Sequence, residues 1–357
     1  LSRMTSETRI QAYENKHREG VLRVLGYLWG DDYQNNKAYF DWKYLQNPHA
    51  TGWPGIVATA GGEVVGFRGY FPARVEVNGR HRAVVQPGDT CVHPRHRRTG
   101  LSVAMGRVAT EMFAPNYDFF LNFSCTKASL PGYKRLGFHQ LAPKYFVNRT
   151  GIPGMTRYVL ASKGLLGDRP GMARSHNPEV VMITSQARPA AMIELVCRTA
   201  IPADKIVLAR GHGFFSWRFR SPRHRYLFVY VASGQDMQAY VVLGLSSNGR
   251  RAYILDHAQV NRDSLRIAME SLISARQFDI ISMLGYGIDA DMGAVLQSTG
   301  FTAHSLVRII EKRIHGELPV LVRPLKSASE SDEFLLAGLD VRRAENWSLR
   351  PLISDAA

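Results

Sequence analysis

The sequence predicts an α+β protein built from two tandem copies of one domain, each a mixed, mostly antiparallel sheet flanked by helices. Three observations carry this expectation. The first half orders its apolar runs as helices, then a meander of strands, then β-α-β-α. The second half repeats landmarks of the first in the same order: "FFSWRF" around Trp217 echoes "YFDWKY" around Trp42, "NGRRAYIL" from Asn248 echoes "NGRHRAVV" from Asn78, and "LQSTGF" echoes "YKRLGF". A chain of 357 residues with 45% hydrophobic content is also long enough for two ordinary cores.

"REGVLRVLGYLW" and "NKAYFDWKYL" have helical apolar spacing. The stretch "GIVATAGGEVVGFRGYFPARVEVNGRHRAVVQPGDTCVHP" reads as three strands, joined by a Gly61-Gly62 turn and an Asn78-Gly79 turn. Leu101, Met105, Val108 and Met112 then mark one face of a helix, "YDFFLNFSCT" a buried strand and "ASLPGYKRLG" a short helix. These elements place a first domain at 1–150. Residues 151–185 are rich in Gly, Pro and basic side chains and read as a linker. A second copy follows at 186–325, whose helix "VNRDSLRIAMESLISARQ" has no basic loop ahead of it. The tail, 326–357, carries Trp347 and apolar residues and is expected to pack back on a domain. Trp42 and Trp217 read as core anchors, because they occur in both copies while the basic loop occurs in one.

Composition narrows the chemistry. The formal net charge is +15, which suits an acidic partner but does not choose one: nucleic acid, acidic lipid, an acyl carrier protein and a phosphorylated cofactor all fit. Arginines are spread along the chain without the aromatic interleaving of an RNA-binding sheet, which argues against nucleic acid. Three scattered cysteines make neither a disulfide framework nor a metal site. No run approaches a membrane span, and the opening "LSRMTSETRI" lacks the order of a signal peptide, so a cytoplasmic location is expected.

The densest chemical signal is "VHPRHRRTGLS", Val92 to Ser102. A strand ends in Val-x-Pro, an arginine-rich loop turns at Gly100, and a helix opens at Leu101. Glycine lets the backbone approach a ligand, and the free N–H groups of the first helical turn point at it, helped by a helix dipole worth roughly 0.3–1 kcal/mol. That is a cradle for a pyrophosphate.

This stretch resembles the coenzyme A loop of the GCN5-related N-acetyltransferase (GNAT) superfamily, Arg/Gln-x-x-Gly-x-Gly/Ala, with Arg97, Gly100 and Ser102 in the motif positions. "CTKASLPGYKRLGF" is similar to the family's second element, with Ser129, Tyr133, Gly137 and Phe138 in register and Thr126 where asparagine is usual. The resemblance implies two GNAT-like domains and a donor, acetyl-CoA or another acyl-CoA, held by Cys91, Val92, Arg97, Arg98, Thr99, Gly100, Leu101, Ser102, Thr126 and Ser129. It implies Tyr133 as the acid that protonates the departing thiolate, a role worth about 10²–10⁴ in rate. It also implies direct transfer to a primary amine, of an amino sugar or amino acid derivative for example, without a metal. An amine of pKa near 10 must first lose a proton at a cost of about 4 kcal/mol at neutral pH, so a carboxylate or an ordered water should help, and Asp89, just before the loop, and His93, four residues on, are the candidate side chains. A Fem-type aminoacyl-tRNA-dependent transferase, a carrier-protein-dependent transferase and a non-catalytic acyl-CoA sensor remain alternatives.

Overall fold

The computed structural model describes residues 8–143, 146–168, 180–199, 204–285, 287–303, 309, 319–326 and 333–354. Strand β1 (Arg9–Ala12) is followed by helices α1 (Arg18–Trp29) and α2 (Tyr33–Phe40), the latter running on through a wider turn to Leu45. The meander β2 (Gly55–Ala60), β3 (Glu63–Val77) and β4 (Arg80–Val92) comes next. Its turns are left-handed at both central residues, with φ of 59° and 85° at Gly61-Gly62 and 50° and 69° at Asn78-Gly79. These are the turns whose twist matches that of the strands they join. Then come α3 (Leu101–Phe113), β5 (Phe119–Asn122), α4 (Leu130–Arg135), β6 (His139–Pro143) and β7 (Phe146–Arg149).

The second half begins with α5 (Ile152–Ser162), β8 (Val181–Thr184), α6 (Pro189–Arg198), β9 (Ile206–Leu208) and α7 (His212–Arg218). It continues with β10 (Tyr226–Ser233), β11 (Asp236–Leu245), β12 (Arg251–Gln259), α8 (Arg262–Ser274), β13 (Ile280–Leu284), α9 (Ala290–Ser298) and β14 (Pro319–Pro324). A short hairpin, β15 (Leu335–Leu336) with β16 (Leu339–Asp340), and β17 (Trp347–Ser348) end it.

Two sheets result, but they do not follow the expected divisions at 150, 185 and 325. The first runs β1-β2-β3-β4-β5-β14-β6, with β9 and β17 attached beside β3; the second runs β7-β13-β12-β11-β10-β8. Each half thus lends a strand to the other: β14 is inserted between β5 and β6, and β7 pairs with β13. The side chains explain both placements. Val320, Leu321 and Val322 are all fully buried, as a strand covered on both faces requires. In β7, fully buried Asn148 receives hydrogen bonds from Ser282 (2.7 Å) and Arg251 (3.4 Å), which marks its slot in the second sheet. Strand β8 and helix α5 occupy described parts of the expected linker, while 169–179 lie outside the described residues.

The sheets share a core. Trp42 and Trp217 stack at 4.9 Å and 10°, and each indole N–H donates to the other's backbone carbonyl, at 2.9 and 2.7 Å. The repeated tryptophans are therefore a reciprocal joint between the copies. The tail packs inward too, with Trp347, Leu349, Leu352 and Ile353 buried.

Candidate functional site

Parallel pairing of β4 with β5 holds only at Val84↔Phe119 and Val85↔Phe120, after which β4 runs on to Val92 paired with β3 but not with β5. The two strands therefore splay, and a cleft opens between them. Hydrogen-bond alternation along β4 decides what faces it. The His93 N–H donates to Val65 O at 2.8 Å, toward β3, so Val92 presents its N–H and C=O on the cleft side, and the amide of Cys91 turns toward β3. Arg97 Nε donates to Val92 O at 3.0 Å and ties the basic loop to the cleft's edge.

The loop itself is exposed from Arg97 to Gly100. Arg98 and Gly100 both have positive φ, 65° and 81°, which turn the chain into α3; Thr99 Oγ1 braces the loop on His96 O at 2.9 Å. With Gly100 at its N-cap, α3 has no side chain capping its first turn, and a Cβ added to Gly100 would meet nothing within 4 Å. The amides at Leu101 and Ser102 begin the helix and have no intrahelical acceptor. The loop is thus an uncapped helix start beside two exposed guanidinium groups.

On the helix face of the sheet, Tyr133 is buried at 6% exposure, edge-on to Phe138 at 4.9 Å. Above its ring, at 5.0 Å, lies the guanidinium of Arg68, which also donates to Tyr70 Oη (3.0 Å) and to Ser102 O (3.2 Å). Arg68 brings the start of α3 and Tyr133 together. It is 5% exposed and makes no ion pair with a described carboxylate, so it holds permanent positive charge beneath the loop. Thr126 and Ser129 lie at the rim and bond to each other: the Thr126 N–H donates to Ser129 Oγ (2.8 Å) and the Ser129 N–H to Thr126 Oγ1 (3.2 Å).

Asp89 faces the other way. A β-bulge sets Asp89 and Thr90 against Arg68 alone, and Asp89 takes a positive φ of 36°. Its carboxylate accepts from fully buried Lys43, from the Tyr44 hydroxyl and from Trp29 Nε1 (3.1 Å), all on the α1–α2 side. Tyr44 reaches it only because Gly69 has no side chain; a Cβ there would lie 2.1 Å from the Tyr44 oxygen. Cys91 points the same way, with Sγ donating to Val24 O at 3.1 Å, and burial raises its thiol above the ordinary value. A protonated, hydrogen-bonded thiol is a poor nucleophile.

Sequence reasoning missed Arg68, Lys43 and Asn122. Asn122, 1% exposed at the end of β5 where the cleft opens, accepts from the Ser124 N–H, but its Nδ2 donor has no partner among the described residues. The signal for each was present as a polar residue within a run that is otherwise apolar or aromatic, such as "FFLNF". Opposite the helices, between the sheets, a cavity of 430 Å³ is lined by Phe123, Phe146, Tyr253, Leu255, Leu284 and His224 among others. Among the described residues no helix is long and apolar enough to cross a membrane, and no group of side chains is arranged to hold a metal.

Residues 9–141 match the family model described as an acetyltransferase (GNAT) domain, a span that contains the loop, the splayed strands and Tyr133. No curated protein matches the sequence. Among solved structures, a GCN5-related N-acetyltransferase from Anabaena variabilis aligns with a TM-score of 0.61 at 12% identity, over 90% of this chain and 73% of its own. One from Kribbella flavida gives 0.56 at 13%, over 91% and 72%. N-myristoyltransferase from Saccharomyces cerevisiae with bound myristoyl-CoA gives 0.53 at 13%, over 90% and 83%. At such identities these likenesses speak for the fold, and the family match speaks for the first half. Residues 9–141 are thus similar to an acetyltransferase (GNAT) domain, and the fold over most of the chain is shared with GCN5-related N-acetyltransferases.

Proposed function

We propose that the protein transfers an acyl group, acetyl or longer, from coenzyme A directly to a primary amine. The observation that carries this reading is the uncapped start of α3, flanked by Arg97 and Arg98 and set beside the strand splay. The pyrophosphate binds the amides of Leu101 and Ser102, with Arg97, Arg98 and Arg68 supplying the field. The pantetheine arm runs along the free edge of β4, where the Val92 N–H donates to a carbonyl of the donor and Asn122 Nδ2 offers a second hydrogen bond from β5. Thr126 and Ser129 shape the rim. Tyr133 protonates the thiolate as it leaves, beneath the Arg68 guanidinium, which favours negative charge there. On the opposite side Asp89 is the acidic pole for the amine. Its Oδ1 receives only the Trp29 N–H among the described donors and keeps capacity to accept a proton or a hydrogen bond.

The test is calorimetric titration with acetyl-CoA of the wild type and of the Arg97→Glu/Gly100→Glu variant. One micromolar site in the wild type, weakened at least thirtyfold in the variant, is the expected result. A folded wild type that binds neither acetyl-CoA, a longer acyl-CoA nor free coenzyme A overturns the reading.

A further inference from the structure

The acceptor is the undefined half of the proposed reaction, and the cavity between the sheets bears on it. Side chains of β5 alternate across the sheet. Phe120 packs with Tyr133 and the α3–α4 side, whereas Phe119, Leu121 and Phe123 pack in the core between the sheets. Phe123, immediately past β5, is a wall of the 430 Å³ cavity. Pro351 and Ser354 of the tail form another wall, and between them Ile353 O accepts from Gln86 Nε2 at 2.6 Å. Gln86 is the first β4 residue beyond the paired register with β5. The cavity therefore abuts the foot of the cleft, on the face opposite Tyr133.

Its chemistry is one-sided. Phe146, Tyr253, Leu255 and Leu284 give it an aromatic and aliphatic wall, and no aspartate or glutamate is among its described lining residues. His224 sits on the lining with Nδ1 2.7 Å from Ser221 Oγ, and burial beside Arg218, Lys43 and Arg223 pushes its imidazole down to about 3, so it adds no charge at neutral pH. Arg225, the remaining charged lining residue, is a cation. A polyamine would lose its hydration with no carboxylate to replace it, and an amino sugar would leave its hydroxyls facing carbon. The volume lies at the lower end of small-ligand pockets, which points to one compact group.

Resting on the acyltransferase reading, we infer that this cavity holds the apolar body of the acceptor, a primary amine carried on an aromatic or aliphatic group. The geometry of direct transfer selects the acceptor over the acyl chain. With the thiol on the Tyr133 side, an amine seated in the cavity reaches the thioester carbonyl from the other side of the sheet and adds to it, and the thiolate leaves toward Tyr133 as the tetrahedral adduct collapses.

The experiment measures thiol release from acetyl-CoA with 2-phenylethylamine and n-octylamine against glucosamine and spermidine, in the wild type and in Ser246→Trp, which places an indole on the cavity wall. The expected result is a kcat/KM at least tenfold higher for the apolar amines. Ser246→Trp should remove that advantage while leaving acetyl-CoA affinity, read by calorimetry, unchanged. Equal or better turnover of the polar amines overturns the inference, and so does a rate that climbs from acetyl- to octanoyl-CoA with a small amine, which would give the cavity to the acyl chain. Should Ser246→Trp misfold, Tyr253→Ala serves instead, enlarging the cavity and shifting preference toward bulkier amines. If no amine turns over, NMR titration of n-octylamine decides: binding weakened by Ser246→Trp keeps the cavity assignment while the transferase reading fails, and no binding ends the assignment itself. Absence of acetyl-CoA binding would sink the donor reading alone.

Discussion

The two halves of the chain build the same cleft and treat it in opposite ways. In the second half β12 pairs in parallel with β13 from Arg251 to Ile254 and then runs on to Gln259 paired with β11 alone, as β4 runs on with β3 beyond β5. The following helix, however, is capped by its own Asn261, whose side chain accepts from the Ser264 N–H at 2.9 Å, and α9 is capped likewise by Asp289. In the first half α3 starts at Gly100 with no side-chain cap. The second cleft is also filled. Trp347 and Ser348 pair with β9, the Trp347 carbonyl lies 2.4 Å from where a Cβ on Gly287 would be, and Arg350 joins Asp289 (2.9 Å) and Asp256 (3.8 Å). What remains is a 350 Å³ cavity bordered by Arg210, His257, Asp289 and Arg350. The contrast is in the helix starts: α3 opens without a side-chain cap, whereas α8 and α9 are capped by Asn261 and Asp289 and the second cleft is narrowed by Trp347, Ser348 and Arg350.

The sharpest way to break this comparison is to empty the second cleft. Trp347 is 1% exposed and donates its indole N–H to Val341 O at 2.8 Å, so Trp347→Ala should cost about 3–5 kcal/mol in urea unfolding. Acetyl-CoA affinity of the folded fraction should not change, because the loop at Arg97 belongs to the other cleft. A parallel loss of affinity would mean that the clefts act as one.

Much of this asymmetry was legible in the sequence, and the reasons differ by feature. The meander and the helices α1 and α8 follow local periodicity and turn chemistry, so "NG" and "GG" placed the hairpins correctly. Local signals also named the loop, since Arg97 and Gly100 lie on one continuous stretch. The exchange of β7 and β14 was not legible, because a strand's partner is a long-range choice: "PVLVRP" reads as a strand but does not say between which neighbours. The environment of Asp89 was hidden for the same reason. Its partners Trp29, Lys43 and Tyr44 lie over forty residues away, and the sequence offered an acid beside the loop without showing that three donors meet it.

The comparison sharpens with pH. Two histidines of the second half, half-buried His224 and fully buried His257, are both held down to about 3. Burial is the main cause for each, with Arg218 adding at His224 and Arg350 at His257. An unfolded histidine titrates near 6.5, so between that value and 3 the unfolded chain binds more protons. Their contribution to stability is full above about 6.5 and falls as pH drops, by about 1.4 kcal/mol per pH unit for each. Urea unfolding at pH 7.5 and 5.5 should show a loss of about 3 kcal/mol from the pair, and His257→Gln should remove roughly half of it. An undiminished slope in that variant would place the acid sensitivity elsewhere.

The smallest contrast comes from two glycines on equivalent strands, Gly69 on β3 and Gly244 on β11. Each would press a new Cβ on a neighbour, but the neighbours differ. At Gly69 the methyl would lie 2.1 Å from the Tyr44 oxygen and 2.5 Å from its ring carbon, so a rigid aromatic must move and abandon Asp89. That leaves a half-buried carboxylate short of a donor, at a cost of about 1–3 kcal/mol. At Gly244 the methyl meets Leu255 Cδ1 at 2.8 Å, the far end of a side chain that can change rotamer, and the strand gains about 0.5–1 kcal/mol from losing a glycine. Gly69→Ala should therefore destabilise by about 2 kcal/mol, and Gly244→Ala by no more than about 0.5. Equal costs in urea unfolding would mean that the Asp89 cluster tolerates the loss of Tyr44. The first half would then owe its bulge to backbone pairing alone rather than to the Asp89 carboxylate.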